Sequence, residues 1–198
     1  MLRTSYTEDR VEAGCDEVGR GCLAGPVVAA AVILPKKINL PLINDSKKLS
    51  KTNREELEVE IKNIAVEFAI GEVWNEEIDQ INILNASFLA MHLALDKLNE
   101  NINLLLIDGN RFKKYKDIDF HCIVKGDGKF ASIAAASILA KNHRDRLMEK
   151  LGIQHPEYDW HKNVGYPTTA HRNAIKKYGI TSYHRKSFKL LPTQLELF

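Results

Sequence analysis

Carboxylates stand at or just past the ends of three apolar segments of this 198-residue chain. Asp16 and Glu17 follow an apolar entry that reaches Cys15. Asp108 closes Asn103–Ile107, and Asp127 follows Val124-Lys125-Gly126. An acid just beyond a buried strand is costly to leave unpaired, because desolvation opposes its charged form. It needs a cation, hydrogen-bond donors or a metal. Each acid also has a local explanation. Asp108-Gly109-Asn110 and Lys125-Gly126-Asp127-Gly128 are good turns, and Asp16-Glu17 before Gly19-Arg20-Gly21 suits a loop with an Arg20 salt bridge. Taken singly, turn chemistry explains each better. Taken together, oxygen ligands with no His or Cys motif nearby favour the hard cations Mg²⁺ or Mn²⁺. Such a set suits phosphodiester cleavage, in which two ions about 4 Å apart activate the attacking water and stabilise the leaving oxygen. No Ser/His/Asp or Cys/His arrangement competes, and no GxxxxGK[ST] loop points to an ATPase.

The elements that must position these acids are legible from periodicity. Residues 12–34 read as a hairpin. Gly19-Arg20-Gly21 and Gly25-Pro26 interrupt it, and it ends in the continuous apolar run Val27–Leu34. A loop over 35–51 leads to a helix that Thr52 is expected to cap through about Asn63, with Glu55 at capping-box spacing. Ile64–Val73 reads as a strand, and 75–99 carries helical periodicity through Ile78, Ile81, Leu84, Phe88, Met91 and Leu95. Asn103–Asp108 and Phe120–Val124 are short strands, and 130–151 is a long helix with cations towards its end. Pro167 suits a helix start, continued by Ala170–Tyr178. Strands mixed with helices favour an α/β domain.

Hydrophobic residues make up 44% and charged residues 27%, ordinary values for one globular domain. No apolar run approaches a membrane span. The N-terminus lacks the apolar core of a signal peptide. Three cysteines without metal-site spacing read as reduced thiols in a cytoplasmic protein. Net charge is +2, but residues 1–108 carry 11 Lys/Arg against 18 Asp/Glu while residues 109–191 carry 17 against 7. The basic half suits a polyanion. The alternative is a solvated face that balances the acidic half.

The family resemblance rests on six blocks. They are Cys15–Gly21 with Leu23–Val28; Asp45-Ser46-Lys47-Lys48-Leu49-Ser50; Ile107–Asn110; Lys125-Gly126-Asp127; Ser132–Lys141 with Arg144-Asp145; and Gly165-Tyr166-Pro167-Thr168, His171 and Tyr183–Phe188. In this order, over nearly the whole chain, they resemble ribonuclease HII. The resemblance implies a ribonuclease H-like α/β fold: a mixed sheet flanked by helices, with a small helical C-terminal part at about 152–191. The chain is expected to form one catalytic domain over 1–191, acting as a monomer, with a flexible tail over 192–198 that begins at Pro192. The resemblance implies an endonuclease that hydrolyses the RNA strand of RNA–DNA hybrids and nicks duplex DNA 5′ to embedded ribonucleotides, leaving 5′-phosphate and 3′-hydroxyl ends. Asp16, Glu17, Asp108 and Asp127 resemble the family's metal-binding acids, which hold Mn²⁺ or Mg²⁺. Gly19-Arg20-Gly21 resembles the loop that reads the 2′-hydroxyl, where glycines let backbone approach the sugar. Tyr166 resembles the residue that packs on the deoxyribose after the ribonucleotide. Lys47, Arg144, His184 and Arg185 are expected phosphate contacts, and Asp145 is expected to be a structural partner of nearby cations. The pattern departs at Val164, where family members often carry Lys. That predicts one weaker backbone contact and leaves the acids untouched.

Two rivals differ in kind. One is another nuclease of the same broad fold, such as ribonuclease HIII, which usually carries an extra N-terminal domain; the 15 residues before Asp16 are expected to leave no room for it. The other is a hybrid-binding module without catalysis, which gains nothing from clustered negative charge. The ending Gln194-Leu195-Glu196-Leu197-Phe198 resembles the short motif by which bacterial replication and repair proteins dock on the sliding clamp. There Leu195, Leu197 and Phe198 would enter an apolar groove and Gln194 would add a hydrogen bond.

Overall fold

A computed structural model describes residues 2–38, 43 and 50–191. Lys47 and the Gln194, Leu195, Leu197 and Phe198 group lie outside the described residues. Five strands form one mixed sheet in the order β3-β2-β1-β4-β5. They are β1 (Glu12–Val18), β2 (Val27–Ile33), β3 (Glu67–Val73), β4 (Leu104–Asp108) and β5 (Asp119–Ile123). The expected hairpin is present: β1 and β2 pair antiparallel from Ala13↔Ile33 to Val18↔Val28. β4 and β5 add in parallel.

β2 is buried along its whole length, so its side chains alternate between two cores. Val27, Ala29, Ala31 and Ile33 face the core shared with α3 (Ile83–Leu95). Val28, Ala30 and Val32 face the core shared with α1 (Lys51–Ile64) and α4 (Ala131–Gln154). Small side chains bring these layers close. A Cβ on Gly14 of β1 would stand 2.5 Å from the Ile133 nitrogen of α4. No volume remains there for a methyl group, and the strand that carries Asp16 is held against α4.

Two expectations about helix ends are corrected. Ser50, not Thr52, caps α1, its hydroxyl accepting from the Asn53 N–H at 3.2 Å. The helical stretch 75–99 is two helices, α2 (Asn75–Ile81) and α3. They break at Asn82, which takes φ 67° and caps α3 by accepting from Leu84 and Asn85 N–H. The Asn82 side chain satisfies the orphan donors of a helix start while its positive φ turns the chain, so a continuous apolar period concealed a boundary. Beyond α4 come α5 (Trp160–Asn163) and α6 (Thr169–Tyr178). With Tyr158 of the preceding 3₁₀ turn, they pack Trp160, Ala174 and Ile175 against Leu23, Ala24 and Met148. No described helix is long and apolar enough to cross a membrane.

Candidate active site

The parallel register assembles the acids. Cys15 pairs with Ile107, so Asp16 and Asp108 each stand one residue further along neighbouring strands, at the carboxyl edge of the sheet. That edge is where open α/β sheets place their ligands. β5 ends at Ile123, opposite Asp108. The chain then turns through Lys125, at φ 56°, into a short 3₁₀ segment that carries Asp127. The Gly126 N–H donates to Asp108 Oδ1 at 2.6 Å. A Cβ on Gly126 would meet both Asp108 and Ile133. A side chain there would first displace the end of Ile133, because the Asp127 turn is folded closely between Ile133 and Asp108.

Asp16 and Asp127 are buried. Burial pushes the Asp16 carboxyl well above the usual carboxylate range, and the charges of Asp108 and Glu17 push the same way. The Ser137 side chain and the Glu17 N–H, the latter at 2.7 Å, hydrogen-bond to Asp16 and oppose the rise. Glu17 is also raised by burial, despite an ion pair in which Arg20 Nη1 donates at 2.9 Å. The structure therefore brings Asp16, Glu17 and Asp108 together as mutually repelling oxygens, with the Asp127 turn beside them. Among the described residues no three His, Cys, Asp or Glu side chains already form a coordination sphere. The donor chemistry fits hard cations: Asp16, Glu17 and Asp108 crowd carboxylate oxygens at one sheet edge, and Arg20 beside Glu17 offsets only part of their repulsion. A cleft of about 300 Å³ opens beside them, lined by Glu17, Arg20, Phe88, Met91, Asp108 and Arg111. Ser137 at the acids and the α3 wall of this cleft were not found in the sequence, because nothing local marks a helix side chain as facing a strand end.

Gly19, at φ 92°, and Arg20, half-exposed on its Glu17 bond, lie next to this cluster. Tyr166 is partly exposed at 38%, and burial of its ring together with the neighbouring Cys22 raises its phenol. The Tyr166 carbonyl is held by His171 Nδ1 at 2.9 Å. A carbonyl only accepts, so the His171 proton is on Nδ1, and Nε2 accepts from Trp160 Nε1–H at 3.0 Å. His184 Nε2 lies 3.2 Å from the same atom, while its Nδ1 accepts from the Thr181 N–H at 2.9 Å. Both imidazoles are thus held neutral. Burial, then repulsion from His171, lowers His184 to about 4.

His184, Arg144 and Arg185, expected as phosphate contacts, turn inwards in the structure. All three side chains are fully buried. The two guanidiniums donate to backbone carbonyls, Arg144 to Pro26, Ala24 and Val164 and Arg185 to Gly25 and Arg20. Composition marks an arginine as basic but cannot tell a surface cation from a buried one. Asp145 does pair with cations, Arg54 at 3.0 Å and Lys141 at 2.6 Å. Val164 takes φ 42°, a left-handed conformation rare for a β-branched residue, and its carbonyl receives Arg144.

Comparison with known proteins agrees with this geometry. The profile of the family described as ribonuclease HII matches residues 13–191. A ribonuclease HII of Christiangramia forsetii is 58% identical over 97% of this chain and 97% of its own. One of Bacteroides fragilis is 59% identical over 100% of this chain and 99% of its own. The solved complex of PCNA and ribonuclease HII from Archaeoglobus fulgidus superposes with a TM-score of 0.74 at 27% identity, covering 95% of this chain and 100% of that one. This chain belongs to the ribonuclease HII family and is an endonuclease of RNA–DNA hybrids.

Proposed function

We propose that the enzyme cuts the RNA strand of hybrids and nicks duplex DNA on the 5′ side of embedded ribonucleotides, with Asp16, Glu17, Asp108 and Asp127 holding two Mn²⁺ or Mg²⁺ ions. The observation that carries this reading is the register that sets Asp16 beside Asp108 at the ends of paired parallel strands. Bound cations supply the activation of water and the stabilisation of the leaving oxygen. The chain's own residues do the rest. Ser137 and the Glu17 N–H orient the Asp16 carboxylate, and the Gly126 N–H orients Asp108. The Gly19–Gly21 backbone meets the ribose 2′-hydroxyl, the group that separates RNA from DNA. Tyr166 packs on the following deoxyribose, with its backbone fixed by His171. Arg20 must exchange its Glu17 bond for another partner once Glu17 binds metal. The three cysteines are free thiols, which supports a cytoplasmic setting. The tail ending in Phe198 is a docking element for the sliding clamp, a reading supported by the PCNA complex of the archaeal relative.

The test is cleavage of an end-labelled DNA duplex that contains one ribonucleotide, beside an all-DNA control, in Mn²⁺ or Mg²⁺. We expect one nick 5′ to the ribonucleotide, a 3′-hydroxyl and a 5′-phosphate, and an intact control. Cleavage in EDTA with 2′,3′-cyclic phosphate ends would overturn the mechanism.

A further inference from the structure

Arg144 and Arg185 are fully buried, and among the described residues neither has an ion-pair partner. Buried cations are ordinarily paired with acids, because an uncompensated charge in the interior is expensive. These two also lie close enough to repel one another, and burial with that repulsion lowers Arg185 to about 10. Their hydrogen bonds show what offsets the cost. Arg144 Nε donates to the Pro26 carbonyl at 2.9 Å, Nη2 to Ala24 at 3.1 Å and Nη1 to Val164 at 2.8 Å. Arg185 Nε and Nη2 donate to Gly25 at 3.0 and 2.9 Å, and Nη1 to Arg20 at 2.9 Å. Every acceptor is in the 20–26 loop or at Val164, so the hydrogen bonds of the two guanidiniums go to the two segments that present Gly19–Gly21 and Tyr166, while Arg185 also lies over the Phe188 ring. The glycines of those segments rest on the same side chain. A Cβ on Gly19 would fall 2.7 Å from Arg144 Cδ, and one on Gly165 would fall 3.4 Å from its Nη2. The Leu23 N–H closes the seam on the Gly165 carbonyl at 2.8 Å.

We propose that Arg144, with Arg185 behind it, is a positioning residue for ribonucleotide recognition, its buried guanidinium fixing the spacing between the Gly19–Gly21 loop and Tyr166 so that the two read adjacent sugars as one gauge. This rests on the roles given above to that loop and to Tyr166. A guanidinium is suited to the task because its rigid fork reaches three carbonyls at once, whereas an ammonium offers a single nitrogen on a flexible stem. Recognition of two neighbouring sugars needs that rigidity, since a misplacement of about 1 Å costs on the order of a hundredfold in rate.

The experiment compares the parent enzyme, Arg144→Lys, Tyr166→Ala and the double variant on a single-ribonucleotide duplex and on a long hybrid. Fluorotyrosine is incorporated in parallel, and the Tyr166 resonance is assigned with Tyr166→Phe. We expect Arg144→Lys to lower kcat/KM on the single-ribonucleotide duplex by roughly 30-fold or more and on the hybrid by less than about 3-fold. Tyr166→Ala should then add little in the Arg144→Lys background, because the two act as a unit, and the Tyr166 resonance should broaden or shift. Equal losses on both substrates, full additivity, or an unchanged Tyr166 resonance would each overturn the proposal. If Tyr166→Ala alone leaves the substrate ratio unchanged, the junction-reading role of Tyr166 fails instead, and the resonance alone decides whether Arg144 holds that loop. If Arg144→Lys does not fold, Arg185→Lys, which removes the link to the Arg20 carbonyl, is carried through the same comparison.

Discussion

At the scale of single residues, Asp16 sets stability against activity. Its carboxylate is buried beside Asp108 and Glu17, and all three would carry the same charge. Replacing it by asparagine removes one charge and leaves an oxygen for the Glu17 N–H. Asp16→Asn should therefore cut hydrolysis by at least about a thousandfold, the equivalent of several kcal/mol of lost charge stabilisation. It should raise the thermal midpoint by a few degrees, as removal of strain at an active site does. Both quantities come from one preparation, by oligonucleotide cleavage and a melting scan without metal. A midpoint that drops would mean that Asp16 is held for the fold rather than for chemistry.

At the scale of elements, the α5–α6 region depends on two imidazoles that fold without a proton. His171 Nε2 accepts from Trp160, and His184 Nδ1 accepts from Thr181, so a proton on either acceptor breaks a buried bond. Burial lowers His171 as well, and His184 lies at about 4. The unfolded chain binds protons at these sites as pH falls through about 6.5; in the folded chain both bind them later, His184 not until about 4. Their contribution is thus complete above the unfolded value and is lost as pH falls from there, that of His184 over the range down to about 4. Between pH 6.5 and 5 this should cost about 1–2 kcal/mol. Urea unfolding across that range should give a slope that His184→Asn reduces, since its amide oxygen can still accept from Thr181. An unaltered slope would place the acid sensitivity elsewhere. The same pair reaches the site through the Tyr166 carbonyl, which links the packing of α6 to recognition.

At the scale of the whole molecule, charge is divided along the chain while the fold interleaves the halves. Residues 1–108 supply four strands, β1 to β4, together with Asp16, Glu17 and Asp108, and residues 109–191 supply β5, α4 and most of the cations. Arg144 and Arg185 are buried, so fewer cations face a polyanion than composition alone indicates. Affinity for a hybrid should still fall tenfold or more between about 50 and 200 mM salt, as counterion release requires. A flat titration by fluorescence anisotropy would show that the basic half does not meet nucleic acid. A chain that ends at Thr193 should bind the hybrid equally and lose binding to purified clamp. Equal clamp binding by both lengths would remove the tail from consideration.

What the amino-acid sequence determined on its own was everything carried by local pattern. Continuous apolar runs marked the buried strands, helical spacing marked α4, and the order of acid-bearing blocks pointed to the family and to the acids. Its limits were equally local. Asn82 split one apolar period into two helices, because a residue of positive φ that caps a helix leaves the hydrophobic spacing on both sides unchanged. Tertiary structure alone decided which polar residues face inwards. His184, Arg144 and Arg185 are basic in the sequence and buried in the fold, because most partners of the two arginines are backbone carbonyls more than 100 positions away, and His184 meets a second histidine. Carbonyls have no signature in an amino-acid sequence, since every residue carries one. The pairing of Asp16 with Asp108 was likewise decided by the register between β1 and β4, which depends on how two strands 92 residues apart slide into one sheet.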